Sequence, residues 1–176
     1  PPVATGAAGG QGAAVAQAQA SYREPQTTST VFMVSPDDFG FNVETAESNV
    51  FQNRAAETVD AQRKAKQEFA GTVEELRRAG IRVIVLPSRT DIKTPDAVFP
   101  NNWFSLHALD GGKRLLVGYP MLAPNRRAER RLDDLQQQLA ANGMPVSEVL
   151  DLGAFEVQGM FLEGTGSVVL DRGNRV

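Results

Sequence analysis

Apolar residues fall into short runs separated by polar stretches rich in Gly and Pro, and two of the intervening segments carry helical periodicity. Thr30-Val31-Phe32-Met33-Val34 is an apolar run closed by Ser35-Pro36, which predicts a strand. A polar loop follows, Asp37-Asp38-Phe39-Gly40-Phe41-Asn42. Over residues 55–79, Ala61, Ala65, Phe69, Val73 and Leu76 recur at spacings of three and four, one apolar stripe of a helix. Gly80 supplies a residue suited to the left-handed stop of that helix. Ile81-Arg82-Val83-Ile84-Val85-Leu86 is a β-branched run ended by Pro87, and residues 102–109 predict a further strand.

The pattern then recurs. Asn125 is placed to cap a second helix, on which Ala128, Leu132, Leu135 and Leu139 form the stripe and Asn142-Gly143 the stop. Residues 146–152 predict the next strand, and Met160-Phe161-Leu162 and Val168-Val169-Leu170 read as later strand segments. Two turns match as well. Leu109-Asp110-Gly111-Gly112-Lys113-Arg114-Leu115 and Leu170-Asp171-Arg172-Gly173-Asn174-Arg175-Val176 both read Leu-Asp-x-Gly-x-Arg-apolar. Agreement of turn, helix stop and strand order predicts an internal repeat. In that repeat Val176 corresponds to Leu115, where the hairpin strand Leu115-Leu116-Val117-Gly118-Tyr119 begins its return. A strand left at that point presents an open edge. The expectation is therefore a longer protein, whose remaining half, or a second chain, completes the fold.

Composition narrows the class. Residues 1–29 are an Ala-, Gly- and Gln-rich leader, with too few large apolar groups to offset the entropy of ordering. They lack the basic and apolar regions of a secretory signal. Residues 30–176 form the structured part. The chain has 176 residues, 41% hydrophobic and 22% charged, which fits one globular domain. Its net charge of −3 argues against a nucleic-acid footprint, and no apolar run is long enough to span a membrane. There is no cysteine, which excludes disulfides, thiolate metal sites and a cysteine nucleophile on this chain. The single histidine, His107, rules out a histidine-rich metal site. Without disulfides or a signal peptide, the cytoplasm is the expected compartment.

Two loops carry the candidate chemistry. Pro95-Asp96-Ala97-Val98-Phe99-Pro100-Asn101-Asn102-Trp103 leads a carboxylate and two carboxamides into an apolar strand. Such groups can hold a flat ligand with several donors, such as a guanidinium or a ureido group; asparagines bonding their own loop are the alternative. Strand alternation, carried back to Asn101, sets Asn102 and His107 on opposite faces. With no titratable neighbour beside it in sequence, His107 reads as structural, and Trp103 as core or pocket wall. The second loop holds Glu163 between apolar runs, followed by Gly164-Thr165-Gly166. A carboxylate there is solvated, paired or functional. Asn42, beside Phe39-Gly40-Phe41, suits a lid contact or the entry to the first helix.

Three segments together resemble the amino-terminal half of the guanidine-modifying, or pentein, superfamily, in its amidinotransferase-like and citrulline-utilising hydrolase branch. They are Phe39 to Gln52, Pro95 to His107 and Phe161 to Arg172. The resemblance implies an α/β fold, a pentein-type α/β propeller of ββαβ repeats, with about half of the propeller present. It implies hydrolysis of a C–N bond in a guanidino or ureido substrate related to arginine or citrulline, through a cysteine thiolate that this chain lacks. Amidino transfer is the rival chemistry. Glu163 matches the superfamily's catalytic, guanidinium-holding glutamate, and Asp96 an upstream aspartate. Asn101, Asn102 and Asn42 complete the expected substrate contacts. Asn102 stands where many members carry an aspartate, and a neutral carboxamide holds a cation less strongly but tolerates a ureido group. Thiolate chemistry at a guanidinium implies no metal or other cofactor. The expected partners are a small guanidino or ureido substrate and the rest of the fold, with no nucleic acid and no membrane; homo-oligomerisation stays open. Two other readings stand beside this one: a non-catalytic pentein-like binding or scaffold protein, and a generic α/β domain without a small-molecule site.

Overall fold

The computed structural model describes residues 26–46 and 59–172. Residues 29–169 form one unit. A second, small unit groups residues 26–28 with 170–172, where the Gln26 side chain donates to Leu170 O at 2.9 Å and accepts from Arg172 N at 3.0 Å.

Strand β1 (Thr30–Val34) pairs in parallel with β2 (Arg82–Leu86), in register from Thr30 with Arg82 to Val34 with Leu86. Parallel neighbours need a long crossover, and helix α1 (Val59–Arg78) lies on the connection between them. The predicted stripe of Ala61, Ala65, Phe69, Val73 and Leu76 is buried or half-buried along its whole length. The expected helical positions 55–58 lie outside the described residues.

A second sheet has the order β3 (Phe104–Ala108), β4 (Arg114–Gly118), β5 (Glu148–Asp151). β3 and β4 are antiparallel across the Asp110–Gly112 turn, and β5 runs parallel to β4. Helices α2 (Pro124–Arg127) and α3 (Leu132–Ala141) lie on the β4-to-β5 connection. The order β3-β4-α3-β5 is one ββαβ unit.

The two helix stops are alike. Gly80 and Gly143 have φ of 81° and 73°, the left-handed region that glycine enters without steric cost. In each case the next residue reaches back five positions, Ile81 N to Leu76 O at 2.9 Å and Met144 N to Leu139 O at 2.8 Å. These are Schellman closures, and each feeds the chain into a parallel strand. The core beneath them joins both sheets. Ile84, Trp103, Leu116, Met121, Leu135 and Leu139 form its main cluster, and Val34, Leu86 and Ala97 a second one. Phe32 packs against both clusters.

Five local expectations are corrected. The strand predicted from residue 102 begins at Phe104, because Pro100–Asn102 is a single 3-10 turn with proline at its start. Strand parity therefore does not extend to Asn101 and Asn102. Asn125 does not cap a helix: Ala123 is extended at that position, Pro124 takes the first helical place and Asn125 follows it. The helix then breaks over residues 128–131, so Ala128 leaves the stripe while Leu135 and Leu139 stay buried. The strand predicted over 146–152 is confined to Glu148–Asp151. Residues 160–162 and 168–170 form no strand; among the described residues no ladder partner runs beside them, and Gly164–Gly166 is a 3-10 turn.

Candidate functional site

The loop before β3 and the loop carrying Glu163, far apart in sequence, lie against each other. Asn101 Nδ2 donates to Thr165 Oγ1 at 2.9 Å, and Thr165 Oγ1 in turn reaches Asn101 O at 3.4 Å. Gly164 makes this approach feasible. Its φ is 44°, and a Cβ there would stand 2.3 Å from Asn101 O and 3.0 Å from Asn102 O. A Cβ on Gly166 would stand 3.2 Å from Asn102 Nδ2. Both expected carboxamides therefore border the glycine turn that follows Glu163.

Glu163 is half-buried, preceding that turn. Its Oε1 accepts from Leu122 N at 3.1 Å, and its Oε2 lies 3.8 Å from Arg126 Nη1. The Glu163 carboxylate thus has a main-chain amide and the Arg126 guanidinium as partners. Arg126 is itself buried. It donates through Nη2 to Glu129 at 3.0 Å, to Phe99 O at 3.4 Å and to Asp96 O at 3.5 Å. Its Nε lies 3.3 Å from both Glu129 oxygens. One guanidinium thus ties the Asp96–Phe99 turn to Glu129 and Glu163. Glu129 is buried as deeply, and its carboxyl is pushed up to about 7: loss of hydration raises it, Arg126 opposes, and the charges of Asp96 and Glu163 add to the rise.

Asp96 and Asn42 are also buried and face each other. Asn42 Nδ2 donates to Asp96 Oδ2 at 2.7 Å, and Thr45 Oγ1 donates to the same oxygen at 3.1 Å. Asn125 Nδ2 donates to Asn42 Oδ1 at 2.6 Å, while Glu44 Oε2 accepts from Asn125 N at 2.8 Å. Asn42 is thereby held between the loop carrying Asp96 and the start of α2. His107 stands elsewhere. Its Nε2 is 2.6 Å from Ser105 Oγ, which lies 2.7 Å from the Tyr119 hydroxyl. Ser105, on the same strand as His107, thus stands between the imidazole and Tyr119, which follows β4.

The sequence brings Asp96, Asn42, Asn101, Asn102 and Glu163 to notice, but not Arg126 and Glu129. Both belong to Asn125-Arg126-Arg127-Ala128-Glu129-Arg130-Arg131, which on one continuous helix would be a solvated charged face. The signal available was the pairing of opposite charges three apart beside a proline. The break after Arg127 turns that pair inward.

The Glu129 and Glu163 carboxylates and the main-chain carbonyls of Asp96 and Phe99 face one guanidinium, that of Arg126, while the Asp96 carboxylate is bonded by Asn42 and Thr45. The neighbouring Arg127 and Arg130 are drawn to Glu156 instead. A separate open groove of about 730 Å³, lined in part by Arg89, Asp91, Arg131, Asp134 and Asp151, includes none of the expected site residues. Among the described residues no group of three His, Cys, Asp or Glu is placed to hold a metal ion, and no helix is long and apolar enough to cross a membrane.

No curated protein and no solved structure matches the chain. Residues 35–176 match the family described as N,N dimethylarginine dimethylhydrolase, eukaryotic, a span that takes in both candidate loops and the Arg126–Glu129 pair. The chain belongs to this dimethylarginine dimethylhydrolase family, within the arginine-modifying hydrolases of the pentein superfamily.

Proposed function

We propose that the complete protein hydrolyses a methylated arginine at its guanidino carbon. The bond to the methylated nitrogen breaks, water supplies the oxygen, and the products are a ureido amino acid and a methylamine. The observation that carries this reading is the family match over residues 35–176. The carboxylate-rich cluster around Arg126 supports it, because it already holds one guanidinium with carboxylates and carbonyl oxygens.

In this reading Glu163 is the catalytic carboxylate that holds the substrate guanidinium as its charge redistributes. Asp96, Asn101 and Asn102 are polar clamps. Asn42, bonded to Asp96, sets the orientation of that carboxylate and contacts the substrate when the loop over residues 39–42 shifts. The thiolate that attacks the guanidino carbon is absent from these 176 residues and comes from a further segment of the polypeptide or from a second chain. That further part completes a propeller of ββαβ units, of which β3-β4-α3-β5 is one. Exposed apolar side chains at Leu150, Phe155, Val157, Met160 and Phe161 suit such a covering partner. The cytoplasm is the proposed compartment, in keeping with a chain that has no cysteine to cross-link.

A substrate panel tests the reading. The full-length protein should turn over N,N-dimethylarginine in preference to arginine, agmatine and citrulline. Preference for an amine acceptor over water would favour the amidinotransferase instead. Absence of turnover and of any melting shift across the panel would sink the enzyme reading.

A further inference from the structure

The Arg126–Glu129 pair has a geometry that bears on Glu163. Arg126 presents two separate edges. Its Nε and Nη2 edge is taken by Glu129 and by the carbonyls of Asp96 and Phe99, and Nη1 alone is directed to Glu163. Glu129 thus fixes which nitrogen meets Glu163. Its charge also competes with Glu163 for the same guanidinium.

We infer that Glu129 is a positioning residue that sets, through Arg126, how much negative charge Glu163 offers to a cationic ligand. With Glu129 ionised, Arg126 is neutralised within the pair and the Glu163 carboxylate is left for the substrate guanidinium. With Glu129 protonated, Arg126 turns its full charge on Glu163 and the site holds a cation less strongly. The titratable and charged groups facing Glu129 are Arg126 from α2, Asp96 from the loop before β3, and Glu163 from the glycine turn. Burial and the two like charges place its proton loss near neutral pH, where the balance can be tipped.

The inference rests on the guanidino-substrate reading, and a binding experiment separates the two. The probe is N,N-dimethylarginine, read by calorimetric affinity on the full-length protein at pH 6 and pH 8, which requires no turnover. The unmodified protein should bind about tenfold more tightly at pH 8, the scale of one charge acting across a partly buried site. Glu129→Gln, which imitates the protonated form, should bind equally at both pH values, at the weaker level. Glu129→Asp should restore the dependence. A Glu129→Gln variant that keeps the full dependence overturns the inference while leaving the substrate reading intact. So does a folded Glu129→Asp variant that loses it, and this second variant decides the matter should Glu129→Gln not fold. Absence of binding at either pH overturns the substrate reading itself.

Discussion

Replacing Glu129 with Gln should stabilise the protein at alkaline pH, although it removes one partner of a buried ion pair. The carboxyl of Glu129 is pushed from an ordinary 4.5 up to about 7, chiefly by burial. Between those values the folded protein holds a proton that the unfolded chain has released. Stability is therefore fully present below the ordinary value, falls as pH rises through the window, and levels off above about pH 7. The gap corresponds to about 3 kcal/mol of folding free energy, an order-of-magnitude figure. A glutamine has no such proton to lose. Glu129→Gln should match the unmodified protein near pH 4 and exceed it by about 3 kcal/mol at pH 8. Were the ion pair dominant instead, the substitution would cost about 3–5 kcal/mol at pH 8, the usual penalty for leaving a buried charge alone. The opposite signs make equilibrium urea unfolding of the full-length protein at both pH values decisive. Asp37 and Glu156, whose carboxyls are held below their ordinary range, weaken both proteins in acid and cancel in the difference. A variant less stable than the parent at pH 8 would refute the argument.

Other substitutions test the assembly of the site. Gly164→Ala places a Cβ against Asn101 O in a left-handed backbone, so it should cost about 1–3 kcal/mol and raise KM, measured by thermal melting and steady-state kinetics. Leu135→Ala opens a cavity in the main core and should cost about 2–5 kcal/mol in urea unfolding, with the pH dependence of binding unchanged. Asn42→Ala strands the buried Asp96 carboxylate without its 2.7 Å donor and should cost about 1–3 kcal/mol; denaturation of the Asn42→Ala protein that coincides with the parent's would show the contact to be idle.

Elements held by local chemistry were legible in the chain. The β1-α1-β2 order follows from an apolar stripe and β-branched runs, and the glycines at 80 and 143 announce the same closure twice. What escaped depends on contacts distant in sequence. The strand expected from Asn102 gives way to a turn because Pro100 and the Gly164 approach shape the backbone there. The helix expected from Asn125 onward breaks because Arg126 finds Glu129, Phe99 O, Asp96 O and Glu163, partners that no local pattern declares. Asn42 and Asp96 were each singled out, but their bond spans 54 residues and only the fold reveals it. Segments 160–162 and 168–170 carry strand composition without a ladder partner among the described residues, and composition alone cannot supply one.

The most direct test of the account is product formation from N,N-dimethylarginine by the full-length protein, compared with its Glu163→Gln variant. The account predicts dimethylamine and citrulline in equal amounts from the parent, and a kcat lower by about 10²–10³-fold in the variant, as expected when a preorganised charge is lost at the reacting centre. No release of dimethylamine by the parent, or an unchanged kcat in the variant, would contradict it.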